Sequence, residues 1–99
     1  MNIPSKVKIA YNDYDVIIVD GHIVDDNKSC YGNIEYGKSK INLSNLYSQD
    51  IQKCTLIHEC LHGIDDIVEA DLTEVQVNLM AKGLYTFIKD NPSIFENNK

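Results

Sequence analysis

The spacing of apolar residues changes once along this chain. It is period two as far as Leu43 and close to 3.6 from Ser48 onward, so strands come first and helices last. A chain that segregates its elements this way is expected to fold as α+β, with helices covering one face of a sheet. In "KVKIAYNDYDVIIVD", Val7, Ile9 and Tyr11 alternate with polar residues, and Tyr14, Val16 and Ile18 resume the alternation after Asn12 and Asp13. That pattern predicts a strand, a two-residue turn and a second strand. "VDDNKS" (24–29) reads as a solvated loop. In "CYGNIEYGKSKINL" a second hairpin is predicted, with Ile34 and Tyr36 before the Gly37-Lys38 turn and Ile41 and Leu43 after it on a shared face. Gly32 inside its first strand marks a bulge or a close backbone approach. The expected sheet is small and antiparallel.

The helical half has clear boundaries. Ser48 is the predicted N-cap of a helix reaching about Ile67, with Asp50 in the first turn where the helix dipole favours an anion. Leu56, Ile57, Cys60, Leu61 and Ile64 make one broad apolar face, and Ile51, Thr55, His58, His62 and Asp65 gather on another. Thr73 and Gln76 form a predicted capping box for a second helix, and Leu72 with Val77 is the matching hydrophobic staple. This helix should run to about Asp90, because Asn91 precedes Pro92 and is pushed out of the α region. The tail "SIFENNK" (93–99) is expected to fray.

The chemistry is concentrated in "TLIHECLHGIDD" (55–66), where His58-Glu59-Cys60-Leu61-His62 is an HExxH motif. One helical turn separates the two histidines, so both imidazoles project from one side, about 6 Å apart along the axis, and can reach one Zn²⁺. Glu59 is rotated by about 100° from His58, so it flanks the metal without ligating it. There it can act as general base toward a water whose pKa the metal lowers to about 7.

A third protein ligand is needed, and Asp65, Asp66, Glu69, Asp71 and Glu74 are the candidates. Asp65 and Asp66 sit too close to His62 on the same helix and are better placed to brace an imidazole N–H. Glu69 and Asp71 fall in the connecting loop. Glu74 is the best placed, because it opens the second helix and can approach from the opposite side of the metal. Glu74, Asn78, Ala81 and Tyr85 form a narrow stripe on that helix. Within it Asn78 could brace a ligand histidine, Ala81 allows close helix approach, and Tyr85 could offer its phenol to the oxyanion. Cys54 continues the histidine spacing backwards, but the drift of successive turns carries it away from His62 and it is read as a small buried cysteine. His22 is read as a surface histidine.

Composition narrows the function classes. The chain has 99 residues, read as one domain (1–99), and its net charge of −6 with nine lysines and no arginine offers no basic patch for nucleic acid. No apolar run approaches the roughly 20 residues needed to span a bilayer, and no signal peptide is visible. The odd count of three cysteines fits a reducing compartment, so a cytoplasmic location is expected.

The segment "TLIHECLHGIDD" followed by "LTEVQVNLMAKGLYTFIKDNP" (72–92) resembles the small phage and mobile-element members of the ImmA/IrrE-type zinc metallopeptidases, minimal zincins. Their pattern is HExxH, often followed by Ile-Asp, then a Leu-Ser/Thr-Glu helix start and a Leu-Ala-x-x-Leu-Tyr helix ending in Lys-Asp-Asn-Pro. Here Met80-Ala81 stands for Leu-Ala, and Lys82-Gly83 stands where relatives often have Asn-Gly. The resemblance implies zinc held by His58, His62 and Glu74, Glu59 as general base, and hydrolysis of a protein or peptide, with a helix-turn-helix repressor as a substrate class. The competing expectation is a zinc-held or metal-free module that binds a protein without cutting it, since a structural metal supplies stability that small cores lack.

Overall fold

A computed structural model describes residues 1–96. In chain order the elements are β1 (Lys6–Ile9), β2 (Asn12–Val19), β3 (Ile23–Asp25), β4 (Lys28–Cys30), β5 (Gly32–Glu35), β6 (Lys40–Ser44), α1 (Gln49–Val68) and α2 (Glu74–Asp90). Short 3₁₀ turns occupy Tyr36–Lys38 and Pro92–Ile94. The α+β class is as expected.

The sheet is not purely antiparallel. Its four strands lie in the order β1-β2-β6-β5, and β2 runs parallel to β6 with Val16 beside Ile41 and Val19 beside Ser44. Alternation along one strand identifies the buried face but not the neighbouring strand, so consecutive hairpins were the simplest expectation. Here β6, carrying the fully buried Ile41 and Leu43, takes a central place between β2 and β5. The segment between β2 and β6 makes the crossover that a parallel pair requires.

Three local expectations also shift. The first turn falls at Ala10 and Tyr11 rather than Asn12 and Asp13, so that Val7 faces Tyr14 and Ile9 faces Asn12. Ala10 takes φ 55, the positive angle that a twist-matched hairpin turn needs at its first central position. Residues 24–29 are not a loop but most of the β3–β4 hairpin, whose turn residues Asp26 and Asn27 both have positive φ, 50 and 60. Short polar side chains tolerate that conformation, which is why one aspartate and one asparagine can close a hairpin. Tyr36 leaves the strand and sits in the 3₁₀ turn, whereas Ile34, Ile41 and Leu43 keep the shared face, with Ile34 directly opposite Ile41.

Both helices begin where the chain dictates. The Ser48 hydroxyl accepts from the Ile51 N–H at 3.3 Å. Thr73 and Gln76 form the complete capping box, and Leu72 packs beside fully buried Val77 as the staple. α1 is buried on two sides. Leu56, with Cys60 beside it, joins the sheet cluster of Ile9, Tyr14, Val16, Ile41 and Leu43. Leu61 with Ile57 and Cys54 joins Val77 and Ala81 of α2 in a second cluster. The single apolar face read from the helical wheel is thus divided between two partners, and Ile64 is left 44% exposed. Of the tail expected to fray, Ser93 and Ile94 lie in the last 3₁₀ turn and the Phe95 ring meets Phe87 edge-on; 97–99 lie outside the described residues.

Candidate metal centre

His58, Glu59 and His62 lie in the middle of α1, where the sheet holds one side of the helix and α2 the other. The one-turn spacing brings the two rings to a centroid distance of 4.9 Å and their Nε2 atoms to 3.2 Å. α2 closes the arrangement from its first residue. Glu74 Oε1 lies 2.8 Å from His58 Nε2, and Oε2 lies 2.9 Å from His62 Nε2. Two imidazole nitrogens and one carboxylate therefore converge on a single point.

Glu74 is delivered there by the turn between the helices. Glu69 and Asp71 both adopt left-handed backbone, with φ 56 and 55, which reverses the chain tightly. Asp65 Oδ1 accepts from the Leu72 N–H at 3.4 Å, so this carboxylate anchors the turn rather than an imidazole. The capping box then orients the first turn of α2, while Val77 and Ala81 press the helix onto Leu61.

Glu59 is different in kind. Only 7% of it is exposed, and an oxygen of its carboxylate lies within 4.8 Å of ligating nitrogens of both rings. Burial first, then the charges of Glu74 and Asp25, push its pKa up to about 7. Burial lowers the His58 pKa, with Glu74 opposing, so the ring favours the neutral form that metals bind. The raised Glu59 pKa has a measurable consequence for protein stripped of metal with a chelator. A carboxyl whose folded pKa exceeds its unfolded value contributes stability that is fully present below the ordinary value of 4.5 and is lost as pH rises through about 7. The cost above that range is on the order of 3 kcal/mol. Denaturant titrations of stripped wild type should thus lose stability between pH 4.5 and 7.5 relative to stripped Glu59→Gln, and parallel curves would contradict this.

The donor set fits a small divalent cation. Tetrahedral zinc bonds of about 2.0–2.1 Å put ligand atoms about 3.3–3.4 Å apart, close to the observed separation of the two Nε2 atoms. The Glu74 side chain, 69% exposed, has room to draw back by the remaining few tenths of an ångström. Of the two carboxylates near the rings, Glu74 touches both nitrogens, while Glu59 comes within 4.8 Å of them from their own helix.

The structure moves one predicted site residue elsewhere. The Tyr85 hydroxyl donates to the Asp50 carboxylate at the start of α1. Asp50 precedes His58 by eight residues, about 12 Å along the helix, so this phenol clamps the two helices together and does not face an oxyanion at the histidines. The helical stripe was read correctly, but antiparallel packing of α2 against α1 sends its later members away from the site. Asn78 lines the cleft without a hydrogen bond to either ring among the described residues. Sequence reasoning missed two neighbours. Asp25, whose charge reaches Glu59, lay in the stretch read as loop. Tyr36, read as a sheet aromatic, donates its hydroxyl to the His62 carbonyl at 3.3 Å, and no sequence signal marks that contact.

A cleft of about 530 Å³ opens from His58 and Glu59 between α1, α2 and the Tyr31-Gly32 corner where β4 passes into β5. Fold and site together define an α+β protein with a His-Glu-His group able to hold a metal ion at the head of a cleft. The chain matches no family model, no curated protein and no solved structure. Among the described residues no helix is long and apolar enough to cross a membrane.

Proposed function

We propose that this protein is a zinc-dependent metallopeptidase that cleaves a protein or peptide substrate. The observation that carries the reading is the convergence of His58, His62 and Glu74 beside the buried Glu59. His58, His62 and Glu74 would hold the metal. Bound zinc would supply Lewis acidity, polarising the scissile carbonyl and acidifying water.

The remaining work belongs to the chain. Glu59 takes the proton from the attacking water and returns it to the leaving amine. β5 is an edge strand of the sheet, and its Gly32 end lines the cleft, so an extended substrate can add beside it by β-augmentation. The HExxH resemblance points further to a helix-turn-helix repressor as substrate, in keeping with an acidic chain that does not itself grip nucleic acid.

The test begins with metal stoichiometry on untagged protein. Wild type is expected to retain one zinc per chain through gel filtration. Glu74→Gln, which keeps one ligand oxygen but loses the charge, should hold it at least ten-fold more weakly in a competition titration with a chelating dye. Wild type that retains no zinc after loading would overturn the reading and favour a module that binds without cutting.

A further inference from the structure

The cleft is chemically uneven along its length. At the Glu59 end it is polar and acidic. Moving away from the histidines the walls lose their charge at Val75, Asn78 and Cys54, and there Lys82 reaches in from α2 close enough for its charge to act on the Cys54 thiol, with Ile51 further along α1. Lys82 is the sole lysine in the lining, and among the described residues it makes no ion pair. Lys89, two turns further along the same helix, is by contrast 3.6 Å from Asp50.

The structure assigns Lys82 a role in specificity: resting on the peptidase reading above, the cleft selects an extended peptide with a carboxylate three or four residues from the scissile bond, to pair with this ammonium. The spacing follows from the helix. Glu74 and Lys82 are eight residues apart on α2, about 12 Å, and an extended peptide covers that in between three and four residues at about 3.3 Å each. The lining between them, Val75, Asn78 and Cys54, carries no charge and suits an uncharged side chain between the scissile bond and the carboxylate. Net charge limits how acidic the peptide is: a chain carrying −6 overall repels polyanions, so a single carboxylate is recognised rather than an acidic run. That carboxylate is either an Asp or Glu side chain or a free C-terminus, which share the chemistry.

The probe is a degenerate peptide library digested by zinc-loaded protein, with the cut ends sequenced, for wild type, Lys82→Gln and Lys82→Glu. Lys82 is exposed, so all three should fold alike, as circular dichroism would verify. Wild type is expected to enrich a carboxylate three or four residues from the cut by about 2- to 5-fold, the scale of a solvent-accessible ion pair. The preference should vanish in Lys82→Gln and turn toward Lys or Arg in Lys82→Glu. Repeating the digest with amidated C-termini separates the sources: enrichment that survives is a side-chain acid, and enrichment that disappears is the terminal carboxylate. Cutting with the same sequence profile in all three proteins overturns the assignment while leaving the peptidase reading intact. If nothing is cut, the same library is captured on immobilised protein. Lys82-dependent retention of carboxylate peptides then upholds the groove and removes the hydrolase, and retention indifferent to Lys82 overturns the assignment as well.

Discussion

Glu59→Gln is expected to lower peptide hydrolysis by about 10²–10⁴-fold while the protein keeps its zinc, because the substitution removes the proton acceptor and almost nothing else. Glutamine has the shape of glutamate, and the side chain is 7% exposed, so the pocket it fills is preserved. His58, His62 and Glu74 are untouched, and the variant should match wild type in zinc content by elemental analysis. In stripped protein it should also be the more stable of the two above neutral pH, since it relieves the burial of a carboxylate that holds its proton up to about 7. Loss of activity with loss of zinc would mean that Glu59 is a ligand. Full activity with zinc retained would sink the proton-shuttle mechanism.

The second large effect is on the fold at the mouth of the cleft. A Cβ placed on Gly32 would meet the backbone oxygen of Asn42 at 2.5 Å and Thr55 Cγ2 at 2.7 Å. The oxygen belongs to the central strand β6 and cannot move without disturbing the sheet, so Gly32→Ala should cost about 1–3 kcal/mol. For a domain of this size each kcal/mol lowers Tm by roughly 4–8 °C. Two other glycines calibrate the effect. At Gly63 a Cβ would meet Ile9 Cδ1 at 2.7 Å, but that is the end of a flexible side chain, and alanine in a helix interior recovers up to about 1 kcal/mol. At Gly37 it would meet nothing within 4 Å. Melting curves should therefore order Gly32→Ala well below Gly63→Ala and Gly37→Ala. Equal melting temperatures for all three would mean that β5 does not pack onto α1 as closely as described.

Some of this molecule could be read without coordinates because the information is local. Ser48, Thr73 and Gln76 define helix starts through hydrogen bonds that span three residues. His58 and His62 share a helix face because one turn separates them, whatever packs around the helix. The approach of Glu74 to both imidazoles needed only that α2 fold back on α1, which a short turn between two amphipathic helices makes the economical arrangement. The sequence also placed Ile34, Ile41 and Leu43 on one buried face through their alternation.

What the tertiary structure decided lies between elements distant in the chain. Whether β6 pairs in parallel with β2 depends on which strand best covers the core, and alternation is silent on that. The Ala10-Tyr11 turn won over Asn12-Asp13 because strand register, set by Val7 against Tyr14, outweighs the local preference of turn residues. Tyr85 goes to Asp50, and Tyr36 to the His62 carbonyl, through contacts that span 35 and 26 residues of sequence. The raised pKa of Glu59 has the same origin. Glutamate in isolation is an ordinary acid, and only enclosure by the surrounding fold, with Glu74 and Asp25 brought near, raises its pKa to about 7. Sequence by itself determined which groups could do the chemistry, because ligand type and helical spacing are properties of the chain. The tertiary structure decided how those groups are tuned and which neighbours they meet, because burial and charge proximity exist only once distant segments have packed together.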